Sequence, residues 1–190
     1  MRPDLFAHDI EAVPERLSEL ASRLRTEDPW AGLVSKQPLL TGMGSSAYAA
    51  RTAAGWLHAR GIDAVIELAS TDPGWPGGES NSAVLISASG GSAETLERAT
   101  LLRAGTQRVA LVNRPDSALA RQADLVVPML AGEESGDVAC RTYRHTLALL
   151  LAVGGDRAGL AEACDHAARL TRNLLDDQGW LDGVDDLLHP

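Results

Sequence analysis

Apolar positions along this chain follow two periods. Phe6, Ile10, Val13, Leu17, Leu20 and Leu24 recur every three or four residues, which is one stripe of a helix. Proline is tolerated in a helix's first turn and disrupts its middle, so Pro14 predicts a short lead-in and then a helix over 14–25. Asp28-Pro29 ends it. The stripe is too short for a coiled-coil seam and predicts packing on the domain or on a second subunit. Beyond it the apolar residues come in short runs, at 38–42, 62–68, 83–86, 108–113 and 124–130, each the length of a buried strand. Helical stretches lie between them, at 48–60, 96–104 and 138–153, with a capped turn at 116–120. A last helix over 157–177 carries Leu160, Ala163, Ala167, Leu170 and Leu174 on one face. The acidic tail after it reads as weakly structured as far as 184–188.

Strands that alternate with helices pair in parallel and carry helices on both faces. The expected fold is therefore α/β, a three-layer α/β/α sandwich around a five-stranded parallel sheet. Its strand order should be flavodoxin-like, 2-1-3-4-5, with an added helix at each end of the chain. Ligands of such sheets bind beyond the strand C-termini, at the point where the winding reverses. The turns after the first and third strands, 42–47 and 87–95, would flank that point together.

Both turns carry chemistry. Ser87-Ala88-Ser89-Gly90-Gly91-Ser92-Ala93-Glu94-Thr95 runs from a strand end into a helix start. Free backbone N–H groups converge at such a place, and the helix dipole favours negative charge. Ser87, Ser89, Ser92 and Thr95 add hydroxyls, and Gly90 and Gly91 let the backbone turn sharply. The stretch contains no Lys or Arg, so anion recognition there would rest on neutral donors and amides. The competing reading is a serine-rich surface turn in which Ser92 caps the helix. The earlier turn, Gly42-x-Gly44-x-x-Ala47, matches the dinucleotide fingerprint, and Glu67 stands 25 residues after Gly42, where a ribose-binding acid would sit. Trp75, in the Pro/Gly-rich segment 70–82, is expected to pack back on its own domain. The alternative is that it covers a pocket or interface.

Composition narrows the classes. The 190 residues suit one domain, and 45% hydrophobic with 23% charged residues suits a globular protein with a full core. A net charge of −9 argues against a nucleic-acid partner. No apolar run is long enough for a membrane span, and Met1-Arg2-Pro3-Asp4-Leu5 lacks a signal-peptide core, so a cytoplasmic location is expected. Cys140 and Cys164 have no metal-site spacing, so no metal is expected.

Four segments together resemble a known family. Asp9-Ile10-Glu11-Ala12-Val13-Pro14 is similar to an E-I-x-E-Q-P opening, and Gly42-Met43-Gly44-Ser45-Ser46 to an A-C-G-T-S turn. The 87–95 stretch is similar to S-Q-S-G-E-T-A-D-T, and Ala131-Gly132 with Val138-Ala139 to an A-G-x-E-x-x-V-A-S-T-K segment. The chain thus resembles a sugar isomerase (SIS) domain over about residues 9–153. The likeness is to the first half of the tandem type in glucosamine-6-phosphate synthase and related phosphosugar isomerases and deaminases. The resemblance implies that Ser87, Ser89 and Ser92, with the N–H of Ala88, hold a phosphate. It implies that Gly44, Ser45 and Ser46 line the sugar and phosphate edge and that Val138 touches the sugar. The implied chemistry is proton abstraction beside a carbonyl, interconverting aldose and ketose, with no cofactor.

The departures are as informative. Ala88 stands where the family has Gln, and Gly91-Ser92 where it has Glu-Thr. Arg141 and Arg144 are the two candidates for the family's lysine. The tandem family's catalytic residues lie in a second half, and this chain ends about where that half would begin. Within the chain the best-placed general bases are Glu134 and Asp137, after the fifth strand; Glu67 and His145 are weaker candidates. Residues 1–30 are expected to form an N-terminal helical segment and 31–155 the SIS domain. Residues 156–190 would then be a C-terminal helix and tail leading to a second module. Two functions stay open: a phosphosugar isomerase or deaminase completed by a homodimer partner or second SIS module, and a noncatalytic phosphosugar sensor. An NAD(P)-binding domain is a third. The identity of the sugar is not encoded in these motifs.

Overall fold

The computed structural model describes residues 2–35, 37–72, 74–177 and 179. Five strands, β1 (Leu39–Gly42), β2 (Val65–Leu68), β3 (Ser82–Ile86), β4 (Gln107–Val112) and β5 (Leu125–Pro128), form one sheet in the order β2-β1-β3-β4-β5. Every neighbouring pair is parallel. The expected topology is thus observed, with the winding reversal between β1 and β3.

Alternation along the strands splits the core in two, because successive side chains point to opposite faces. Leu40, Val84, Ile86, Val109, Leu111 and Val127 meet one layer of helices. That layer comprises α2 (Val13–Thr26), α3 (Gly44–His58), α5 (Arg141–Leu151) and α6 (Arg157–Asp176). Leu39, Ala83, Leu85, Ala110 and Val112 meet the other, smaller layer, built on α4 (Ala93–Leu101). The N-terminal stripe packs within this domain, mainly between α2 and α6. Trp30 closes that layer, its indole N–H donating to the Leu149 carbonyl at 2.7 Å.

Several element bounds differ from the sequence expectation, each for a local reason. The lead-in before Pro14 is itself a helix of nine residues, α1 (Pro3–Glu11), and Pro14 stands in the first turn of α2 as expected. The second strand begins at Val65 rather than 62, because the Ile62 N–H folds back to Leu57. The third helix starts at Gly44, whose φ of +51° suits glycine. The turn expected over 116–120 is a 3-10 turn at Ala120–Gln122, since the Leu119 N–H is taken by the Gly90 carbonyl. The helix expected from 138 begins at Arg141, because the backbone N–H groups of Cys140, Arg141 and Thr142 are capped by Glu134. The tail segment 184–188 lies outside the described residues. No helix among those described is long and apolar enough to cross a membrane.

Candidate functional site

A cavity of about 560 Å³ opens at the C-terminal edge of the sheet, among the turns that follow β3, β4 and β5. Ala88 and Ser89 line it from the first turn, Asn113, Arg114 and Asp116 from the second, and Glu134, Asp137, Val138 and Thr142 from the third.

The turn after β3 is held by its own hydroxyls. Ser87 is buried and accepts the Gly90 N–H on its side-chain oxygen at 3.1 Å. Ser89 accepts the Gly91 N–H at 3.2 Å. Gly90 sits at φ +62°, and a Cβ there would lie 2.0 Å from the Ser117 hydroxyl, so both conformation and space demand glycine. Ser92 caps α4, accepting the Thr95 N–H at 3.4 Å and the Thr95 hydroxyl at 3.2 Å. The capping reading of Ser92 is therefore observed. Its own hydroxyl donates to Glu94 at 2.9 Å. The Glu94 carboxyl is held below its usual range, first by its own backbone N–H and then by Ser92. The helix terminus thus already carries an acid.

The turn after β1 lies alongside. Gly42 is pressed between the two turns: a Cβ there would stand 2.7 Å from the Ile86 carbonyl and 2.8 Å from Ser46 Cβ. Gly44, Ser45 and Ser46 form the start of α3 there, but they do not line the cavity. The opening is shifted toward β4 and β5 from the place the sequence suggests.

The turn after β5 is organised from a distance. Asp9 of α1, almost fully buried, accepts the N–H groups of Ser135 (2.9 Å) and Gly136 (2.7 Å). Its other oxygen accepts from Arg141 Nη2 at 2.8 Å, and Arg141 also donates to the Glu133 carbonyl. Arg141 is therefore committed to the fold, while Arg144 is exposed and donates to the Cys140 carbonyl. Arg2 pairs with Asp137 at 3.2 Å on the surface. Asn113 ties the β4 end to this turn, donating to the Gly132 carbonyl at 2.7 Å and accepting the Ala131 N–H at 3.0 Å.

Both acids considered as bases carry contacts. Glu134 Oε1 accepts the N–H groups of Cys140 (2.8 Å) and Arg141 (2.6 Å) and the Cys140 thiol (3.1 Å). Its Oε2 accepts the Thr142 hydroxyl at 2.5 Å and the Thr142 N–H at 3.2 Å. Burial raises its pKa, but the bonds from Thr142, Cys140 and the backbone outweigh that, and the carboxyl stays below its usual range. Such a group is an anionic helix cap. The Cys140 thiol is pushed up to about 11 by burial and by Glu134. His145 is fully buried, with Nδ1 2.7 Å from the Met129 carbonyl. Burial drives its pKa down, so the ring is neutral and Nδ1 donates. His145 is not among the residues that line the cavity.

Glu67, the expected ribose acid, pairs with the buried Arg98 at 2.6 Å and accepts the Trp75 N–H at 2.8 Å. That triad pins the Pro/Gly-rich segment, and Trp75 packs against the smaller core cluster, as expected for a residue folded back on its own domain. Glu67 is thus occupied by the fold. Among the described residues no three His, Cys, Asp or Glu side chains gather as a metal site would require.

The sequence reading missed Asn113 and Arg114. Their signal was position: they stand directly past the C-terminal end of a parallel strand, where ligands of this sheet type bind.

Residues 34–154 match the model of the SIS domain. The chain belongs to the SIS family. It is 34% identical over 163 residues to the glutamine–fructose-6-phosphate aminotransferase (isomerizing) of Zymomonas mobilis, covering 80% of this chain and 26% of that enzyme. To the enzyme of the same name from Gluconobacter oxydans it is 33% identical over 145 residues, covering 72% and 24%. This SIS chain therefore spans about a quarter of the length of these curated relatives. Among solved structures it resembles the C-terminal domain of glucosamine-fructose-6-phosphate aminotransferase from Francisella tularensis, with TM-score 0.67 and 20% identity. That likeness covers 90% of this chain and 54% of the other. It also resembles tagatose-6-phosphate ketose/aldose isomerase from Escherichia coli, with TM-score 0.68, 18% identity and coverage of 88% and 52%. These neighbours share the fold.

Proposed function

We propose that this SIS domain binds a sugar phosphate at the C-terminal edge of its sheet, as one module of a phosphosugar isomerase, aminotransferase or deaminase. The observation that carries the reading is the hydroxyl-rich turn after β3, whose Ala88 and Ser89 line the cavity at the C-terminal edge of the sheet. In this reading the hydroxyls of Ser87, Ser89 and Ser92 and the Ala88 N–H hold the phosphate. Gly44, Ser45 and Ser46 approach from the β1 side, and Val138, exposed on the cavity wall, meets the sugar. Residues 31–155 act as the binding domain, flanked by the N-terminal helical segment 1–30 and, on the C-terminal side, by α6 (Arg157–Asp176).

Aldose–ketose exchange needs a base on the C1–C2 proton. Glu134 and Asp137 serve the reaction by shaping the third wall rather than by taking that proton. Glu134 has every oxygen engaged, and Asp137 is paired with Arg2. The base comes from a second SIS module or a homodimer partner. Solved structures of the same fold, of which this chain covers about half, support that division. The same commitment of both acids favours a second reading, a phosphosugar sensor without catalysis.

Calorimetric titration with fructose 6-phosphate, glucosamine 6-phosphate and NAD separates these readings. Phosphosugar binding is expected, and Ser89→Ala should weaken it by roughly 1.5–3 kcal/mol, the worth of a hydrogen bond to a charged group. Binding of NAD without either phosphosugar overturns the proposal. Isomerisation by the chain alone overturns the assignment of the base to a second module.

A further inference from the structure

We infer that Arg114 is the cation that recognises the phosphate of the bound sugar, an inference that rests on the phosphosugar reading above. The hydroxyl turn supplies no positive charge, and its helix terminus already holds the Glu94 carboxylate against Ser92. A phosphate dianion arriving there meets neutral donors and a resident negative charge. Of the residues that line the cavity, Arg114 is the one Lys or Arg. It lines the same cavity as Ala88 and Ser89, on the turn next to theirs.

The charges around it are otherwise accounted for. Glu134 caps α5 and Asp137 pairs with Arg2. Asp116 and Glu133 are exposed on the cavity rim and are negative, which increases the need for a cation if an anion is to enter. Among the described residues nothing pairs with the Arg114 guanidinium, which is exposed. Of the other arginines named on this edge, Arg2 is spent on Asp137 and Arg141 on Asp9, while Arg144 donates to the Cys140 carbonyl and does not line the cavity.

The stem that carries it is rigid. The Asn113 N–H donates to the Ala88 carbonyl at 3.0 Å, which ties the Arg114 turn directly to the hydroxyl turn. The Asn113 side chain is clamped to Ala131 and Gly132. Pro115 restricts the backbone that follows, and the Ser117 N–H closes the turn on the Arg114 carbonyl at 3.0 Å. A fixed backbone thus presents an unpaired planar fork at a cavity that Ser89 also lines. A guanidinium offers paired N–H donors that match two phosphate oxygens, which an ammonium does not.

The test measures the affinity of the full chain for fructose 6-phosphate and for fructose at several NaCl concentrations, with wild type, Arg114→Gln and Arg114→Lys. Arg114→Gln should raise the Kd for fructose 6-phosphate at least about ten-fold. It should also flatten the salt dependence, while Arg114→Lys recovers the salt dependence and part of the affinity. Fructose affinity should be the same in all three proteins. Arg114 is exposed and makes no side-chain hydrogen bond or ion pair among the described residues, so the variants should keep the wild-type melting temperature. Unchanged fructose 6-phosphate affinity and salt dependence in Arg114→Gln, with Ser89→Ala still weakened, overturns this inference and leaves the serine turn standing. A wild-type chain that binds no phosphosugar overturns both.

Discussion

The turns after β3 and β5 face each other across one cavity and are held in opposite ways. The first is held by neighbours: Ser87 by Gly90, Ser89 by Gly91, Ser92 by Thr95. The second is held by a carboxylate more than a hundred residues away, Asp9, which takes two backbone N–H groups and a buried guanidinium. A binding wall can therefore be built from a motif or from a tertiary anchor. Only the first kind is written in consecutive residues.

The largest expected effect comes from removing the distant anchor. Asp9→Ala leaves Arg141 buried and unpaired and strips Ser135 and Gly136 of their acceptor. It should destabilise the fold by roughly 3–5 kcal/mol, read as a lower urea midpoint. Stability unchanged by this substitution would mean that α1 does not anchor the turn. Gly90→Ala acts on the local turn and should cost less, roughly 1–3 kcal/mol. The new methyl meets Ser117, and the positive φ disfavours alanine. Its effect on phosphosugar affinity should exceed its effect on stability, because it distorts the wall that carries Ser89.

The smallest effect is a pH dependence on the β5 side. His145 is buried neutral, so it binds a proton less readily folded than unfolded, where its usual value is 6.5. The stability it contributes is full above pH 6.5 and is lost as pH falls through the depressed folded value. Glu134 is also depressed, from a usual 4.5, so its contribution is present above that and is lost at still lower pH. Urea midpoints measured between pH 8 and pH 5 should fall on acidification, and His145→Gln should flatten that fall. A wild-type midpoint that rises as pH falls would contradict the assignment.

This contrast explains what the sequence made legible. Short apolar runs alternating with helical stripes were enough for the sheet order, because strand alternation and parallel crossovers leave few arrangements. The hydroxyl turn was legible because its bonds are local. Asp9 read as part of a helical opening, and nothing adjacent to it announced a partner at Arg141. Glu134 looked like a reactive acid on a loop because a helix cap and a base share residue type and position. What separates them is the set of donors from 140–142. Arg114 belongs to no motif: it stands two residues past the end of β4, and only the fold brings it to the cavity that Ser89 lines.

The central claim is that the Ser87–Ser92 turn receives a sugar's phosphate. The most direct measurement follows backbone amide NMR shifts of the chain during titration with fructose 6-phosphate and, separately, with fructose. The account predicts saturable shifts at Ala88, Gly90, Gly91 and Asn113 with the phosphorylated sugar and none at these four amides with fructose. Shifts confined to residues away from the β3 and β4 turns, or none with any phosphosugar, would contradict it.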